Sequence, residues 1–365
     1  MITDPDTPSN GNARLGKVVK GLLALLISLL LLLVVALLIF RLWAGVRENQ
    51  QRAEVAPASG RFVQAGDLEL FIQEMGPVAG PKVLLIHGTG AWSEIWRVPM
   101  AALAHAGFRA IAVDMPPFGF SERPVTGDYS RQAQAQRIVA LLDALQITEV
   151  ILVGHSFGVG STVEAALLTP ERVRALVLVD GALNLQTQPQ PPDKPSPFVG
   201  TFFALRPLRN AVIASTVTNP LLTKKLLQLM IYDPADATPA HILMLQQPLP
   251  LAASTDTVGD WLFSFLTVPE TGLSSEPAAY QRLTMPVLLV WGERDTITPL
   301  AQGQHLQQLL PHAELVTLPD VGHIPHLEES EGFNTVLLNF LLVHCQRSFD
   351  GLTVGHRLRR DNYLN

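Results

Sequence analysis

The sequence predicts an α/β protein: a mostly parallel sheet with helices on both faces, an inserted helical lid and an N-terminal transmembrane helix. Three observations carry this. Short, near-continuous runs of Val, Leu and Ile alternate with helical patterns, as strands buried on both faces do. The alternation stops between Asn184 and about Arg282, where no buried-strand run occurs. A long uncharged apolar stretch lies near the start of the chain.

Met1 to Gly16 is polar, with Pro and Asn, and residues 1–20 are expected to form a disordered tail. Gly21 to Phe40 contains no charge, and Ser28 is its only hydroxyl. About 20 such residues at roughly 1.5 Å rise span a hydrocarbon core of ~30 Å. The core of a signal peptide is shorter, about 7–15 residues, and the exit Arg41-Leu42-Trp43-Ala44-Gly45 has no A-x-A cleavage pattern. A helix from a protein core would show a polar face. Residues 21–42 are therefore expected to be an anchor that meets the lipid bilayer through residues 21–40, with Trp43 at the interface. Arg14, Lys17 and Lys20 on one side balance Arg41, Arg47 and Arg52 on the other, so charge leaves the orientation open. Anchors that double as export signals leave the following domain outside, and the catalytic domain is expected on the periplasmic or extracellular side.

Residues 43–60 read as a linker, polar and Ala-rich from Glu48. The pattern then becomes regular. Arg61 to Gln64 and Leu68 to Gln73 predict a hairpin. Buried strands are expected at Val83–Ile86, Phe108–Val113, Val150–Val153, Val173–Val179, Val287–Val290 and Glu314–Leu318. Helices are expected at Ile95–Ala106, Arg131–Leu145, Ser156–Leu168, Ala301–Leu310 and Phe333–Cys345. The sheet domain thus occupies 61–183 and 283–346, split by the lid at 184–282. The lid opens on Gln190-Pro191-Pro192-Asp193-Lys194-Pro195 and continues with helix-like segments such as Leu221–Ile231 and His241–Leu245. A structureless loop of that length is improbable in a compact domain. Residues 347–365 form a tail whose basic cluster is read as solvated.

The 365 residues carry a formal net charge of −6 and no basic patch, which argues against nucleic acid as a partner. Cys345 is the only cysteine, which excludes an internal disulfide and a cysteine-based metal site. Oligomeric state is left open.

The chemistry is signalled by Gly154-His155-Ser156-Phe157-Gly158, between a strand and a small-residue helix. In that context Ser156 occupies a sharp turn, held out at the carboxyl edge of a sheet above a helix N-terminus, where developing negative charge is favoured. A serine nucleophile needs a base, an acid to orient the base, and donors for the oxyanion. The base candidate is His323, after the last strand, with His326 as its neighbour and competitor. The acid candidate is Asp295, past the strand at 287–290. Asp180, which follows Val173–Val179, and then Glu293 are the alternatives. The oxyanion donors are expected to be the backbone N–H groups of Phe157 and Thr89, the latter in the turn His87-Gly88-Thr89-Gly90.

The order Ser156, Asp295, His323, together with Asp114-Met115-Pro116-Pro117-Phe118-Gly119-Phe120-Ser121 and the end Gly322-His323 to Glu328 with Phe333-Asn334, resembles the α/β-hydrolase-fold family. That family includes carboxylesterases, lipases, meta-cleavage-product C–C hydrolases and epoxide hydrolases. The resemblance runs from about Arg61 to His344. Pro117 stands where the family usually has Gly. A Ser rather than an Asp at the elbow implies ester, thioester, amide or C–C hydrolysis through an acyl-enzyme, with no metal and no organic cofactor. The leading expectation is a carboxylic ester hydrolase acting on a small hydrophobic substrate. The alternatives are a C–C hydrolase or an amidase or aminopeptidase on the same scaffold, and then a non-catalytic binding protein. Phe202, Phe203, Leu226, Leu229, Met230, Met244, Leu245, Trp261 and Phe263 are candidates to line an acyl pocket or to pack the lid.

Overall fold

Eight strands form one sheet: β1 (Gly60–Ala65), β2 (Leu68–Met75), β3 (Lys82–Ile86), β4 (Arg109–Val113), β5 (Val150–His155), β6 (Val173–Val179), β7 (Val287–Gly292) and β8 (Glu314–Leu318). Their spatial order is β1-β2-β4-β3-β5-β6-β7-β8. β2 runs antiparallel to β1 and β4, and every other pair is parallel. The computed structural model describes residues 10–344 apart from 184, 186–196, 268–270 and 311. Residues 1–9 of the expected tail, the opening of the lid at Asn184 and Gln190–Pro195, Cys345 and the tail 347–365 lie outside the described residues.

Period-two alternation sends each strand's side chains to two cores. Leu84, Ile86, Leu152 and Leu178 enter one face, covered by helices Arg131–Ala144, Phe157–Leu168 and Leu300–Leu309. Val83, Leu85, Val153 and Val177 enter the other, covered by helices Arg97–His105 and Ser330–His344. The helix expected at Ile95–Ala106 is instead a 3₁₀ turn, Ser93–Trp96, followed by Arg97–His105. Pro99 has no N–H to donate and is tolerated in the first turn of that second helix.

The chain leaves β3 for β4 on one side and returns to β5 on the other. Crevices at the carboxyl ends of strands open where strand order reverses in this way. Between β6 and β7 lie helices Pro197–Ala204, Arg206–Ser215, Thr223–Gln228, Pro239–Gln246 and Ser254–Thr267. Leu221–Ile231, expected as one helix, divides into a 3₁₀ turn at Pro220–Leu222 and the helix Thr223–Gln228.

The N-terminal helix runs Asn10–Arg47, so it begins within the segment expected to be a disordered tail and continues into the expected linker. Its stretch Leu15–Arg47 is long and apolar enough to cross a membrane. The helix ends on the inserted segment, packed against Arg206–Ser215, with Ala44 fully buried and Arg41 paired with Asp256 at 3.0 Å. The expected linker is also docked. Gln50 N–H donates to the Pro250 carbonyl, its own carbonyl accepts from Ala252, and Arg52 pairs with Glu69. Composition conveys polarity, but these partners are distant in sequence and become neighbours only in the fold.

Candidate active site

Ser156 stands between β5 and the helix Phe157–Leu168 at φ 53°, ψ −123°, a backbone conformation unusual for a residue with a side chain. Three hydrogen bonds hold it there. Its N–H donates to the Val179 carbonyl at 2.9 Å, and its carbonyl accepts from Val159 at 3.0 Å and Ala182 at 3.1 Å. A side chain at Gly158 would lie 2.5 Å from the His87 carbonyl oxygen, so that glycine is required for the close approach of helix and loop.

His323 follows β8 and Asp295 follows β7, and the parallel sheet brings both to Ser156. His323 Nε2 lies 2.7 Å from Ser156 Oγ, and its Nδ1 lies 2.8 Å from Asp295 Oδ2. The backbone of His323 is clamped on two sides. Its N–H donates to the Met230 carbonyl at 2.9 Å, and its carbonyl accepts from His155 Nε2 at 2.7 Å. Asp295 Oδ1 accepts from the N–H groups of Ile297 and Thr298, and Oδ2 accepts from the Thr298 hydroxyl at 2.7 Å. Burial alone would raise the Asp295 carboxyl, but the bonds and charge of His323, with Asp180 and Thr298, hold it down to about 2.

The competitors take other places. His326 is buried and stacks on the Trp96 ring at 4.0 Å, with neither ring nitrogen hydrogen-bonded. Glu293 accepts from the Thr317 hydroxyl at the surface. Asp180 lies beside Asp295. One ligand atom each of Asp180, Asp295 and His323 falls within 4.8 Å of the others. Those of Asp295 and His323 are hydrogen-bonded to one another.

Phe157 is the first residue of its helix, so its N–H has no acceptor within the helix. Thr89 lines the cavity beside Ser156's loop. Two residues behind these donors were not anticipated from the sequence. His87 donates from Nδ1 to the Gly88 carbonyl at 2.8 Å and accepts the Met115 N–H at Nε2, also at 2.8 Å. Burial pushes its pKa down to about 4, which keeps it neutral for both bonds. Asp114 accepts the N–H groups of Ser93 and Phe120, each at 2.6 Å, and burial pushes its carboxyl up to about 6. The sequence signal for each was available: a polar residue directly after a buried strand, next to a Gly- or Pro-rich turn.

The crevice holds a cavity of about 320 Å³, lined by Thr89, Phe118, Leu226, Leu229, Met230 and Leu245 among others. Among the described residues, Arg123 is the one charged side chain in its wall. Trp261 packs on the rings of Phe118, Phe157 and Phe265, and Phe263 lies beneath Arg209. Met244 packs at the edge of the core, where its carbonyl accepts from the Trp92 indole. Phe203 belongs to the helix Pro197–Ala204, and the side chain of Phe202 lies outside the described residues.

Residues 81–330 match the family model described as the α/β hydrolase fold. The chain is 31% identical over 291 residues to a 2-hydroxy-6-oxononadienedioate/2-hydroxy-6-oxononatrienedioate hydrolase of Paraburkholderia phymatum, covering 78% of this chain and 96% of that one. It is 29% identical to a 2-hydroxymuconate semialdehyde hydrolase of a Pseudomonas species, covering 78% and 95%. Among solved structures it is similar to a membrane phospholipase A described as a bacterial virulence factor. That match has a TM-score of 0.60 and 25% identity, over 89% of this chain and 98% of that one.

Proposed function

The chain belongs to the α/β-hydrolase fold family, and from that premise we propose that it is a membrane-anchored serine hydrolase of hydrophobic carboxylic esters. The observation that carries the hydrolase reading is the Ser156–His323–Asp295 relay, with contacts of 2.7 and 2.8 Å. Ser156 Oγ attacks the carbonyl carbon while His323 Nε2 takes its proton. The N–H groups of Phe157 and Thr89 bind the oxyanion. His323 returns the proton to the leaving oxygen, and the alcohol departs. Water, deprotonated by His323, then attacks the acyl-enzyme and frees Ser156. Asp295 stays ionised and holds the imidazole in the tautomer that makes both transfers possible.

Two observations support an ester at a membrane. The N-terminal helix is long and apolar enough to span a bilayer. The match to the membrane phospholipase A extends over 89% of this chain, more than the expected sheet domain and lid at 61–346 contain. The inserted helices would serve as a lid over the apolar cavity.

A second reading is C–C bond hydrolysis, and the names of the curated relatives favour it over the ester. Those substrates carry carboxylates, and Arg123 is the cation the cavity offers them. The deciding experiment uses the detergent-solubilised full chain. A fluorophosphonate probe, a p-nitrophenyl ester series and a meta-cleavage-type dienoate are compared in the wild type and in Ser156→Ala. Ester turnover and labelling that vanish in the variant are the expected result. Dienoate turnover without ester turnover moves the assignment to the C–C bond, and failure to label Ser156 overturns both.

A further inference from the structure

Asp180 directly follows β6 at φ 43°, and its carboxyl group is fully buried. Its Oδ1 accepts the Gly292 N–H at 3.0 Å, whereas its Oδ2 meets no donor. The neighbouring group is another carboxyl, that of Asp295, within 4.8 Å. Two buried carboxylates at this separation cannot both stay ionised. The partner sets decide which one holds the charge. Asp295 accepts from two backbone N–H groups, the Thr298 hydroxyl and His323 Nδ1. Asp180 accepts from one N–H alone. Asp295 and Glu328 both disfavour the Asp180 anion, and His323 is hydrogen-bonded to Asp295 instead.

We propose that Asp180 is a neutral carboxylic acid that donates its proton from Oδ2 to the Asp295 carboxylate, as a positioning residue behind the relay. The Ser156–His323–Asp295 chain thereby acquires a fourth member. Burial raises the Asp180 carboxyl well above the ordinary carboxylate range, and Asp295 lies below that range, as this arrangement requires. The donated bond orients Asp295 towards His323 Nδ1. It also withdraws negative charge from Asp295, so it limits how strongly Asp295 stabilises a protonated imidazole. Asp180 touches neither substrate nor the reacting atoms.

The inference rests on the serine-hydrolase reading for its kinetic consequence but not for the position of the proton. Two measurements separate them. The first is the pH dependence of fluorophosphonate labelling of Ser156 in wild type, Asp180→Asn and Asp180→Ala. Asn reproduces the donor to Asp295 and the acceptor for Gly292, so it should keep most of the wild-type rate and its pH profile. Ala leaves Asp295 more basic. Its labelling rate should fall about tenfold, the scale of one charged hydrogen bond, and its acidic limb should move to higher pH. A profile in Asp180→Ala that matches wild type overturns the proposal, as does an Asp180→Asn profile displaced from wild type. The second measurement is infrared difference spectroscopy of wild type against Asp180→Asn at neutral pH. A protonated-carboxyl C=O band lost in the variant is expected. Only a carboxylate band lost instead would show Asp180 to be ionised. That readout needs no activity and uses the isosteric variant, so it decides the matter even if labelling fails or Asp180→Ala does not fold.

Discussion

Ser156 carries its hydroxyl at a backbone angle of φ 53°, a conformation that costs a residue with a Cβ on the order of 1–3 kcal/mol. Its surroundings over-determine it, since Val179, Val159 and Ala182 all hold its backbone. Ser156→Gly should therefore abolish turnover and leave the fold more stable by about 1 kcal/mol. A thermal melt that falls instead would show that the angle carries no strain. Gly158 is the opposite case, because an added Cβ would press on the His87 carbonyl. Gly158→Ala should destabilise by about 1–3 kcal/mol and slow acylation together, because the same contact sets the helix after Ser156 against the turn that begins at His87. Ser156 and His323 stand out in the sequence from their places after strands, and the structure brings Asp295 to them. The choice between Asp295 and Asp180 is not legible there, because both follow a strand and only the hydrogen-bond partners distinguish them.

At the level of elements, the junction between the N-terminal helix and the inserted segment is the feature that composition conceals. Ala44 is fully buried there, while Leu42 is 71% exposed two residues earlier. Ala44→Trp should force the helix away from Arg206–Ser215, at a cost of about 1–3 kcal/mol. Hydrogen exchange across Arg206–Ser215 in the full chain should rise in that variant and stay at the wild-type rate in Leu42→Trp. Equal exchange in all three would mean that the packing is not maintained. Around this junction Asp256 accepts from both Arg41 and Asn210, and Glu48 accepts the Thr255 N–H at 2.9 Å and its hydroxyl. The helix end and the segment covering the cavity thus share one polar network.

For the whole molecule, buried histidines set the response to acid. Burial lowers His87 to about 4 and His155 to about 3, and holds His326 well below its ordinary value. Between the ordinary histidine pKa and those depressed values the unfolded chain binds more protons than the native one. Stability contributed by these groups is therefore full above about pH 6.5 and is lost as pH falls. Asp114 and Asp180, raised by burial, act in the opposite direction. His326 isolates the first effect, because its ring stacks on Trp96 and makes no hydrogen bond. His326→Phe should keep the stack and reduce the stability lost between pH 7 and 5 by about 2 kcal/mol, read from denaturant melts at the two pH values. An unchanged pH slope would mean that His326 is solvated in the native state.

The class of fold, the strands and the positions of Ser156, His323 and Asp295 after strand ends are readable in the chain before it folds. These are carried by local signals: period-two burial, runs buried on both faces, and the turn chemistry that follows a strand. Long-range contacts alone pack His326 against Trp96, set His87 and Asp114 as braces for the loops around Ser156, and dock the expected linker on the inserted segment. Each of those depends on partners tens to hundreds of residues apart. A hydrogen bond or ring contact at such separation exists only once the sheet has brought the strand ends together.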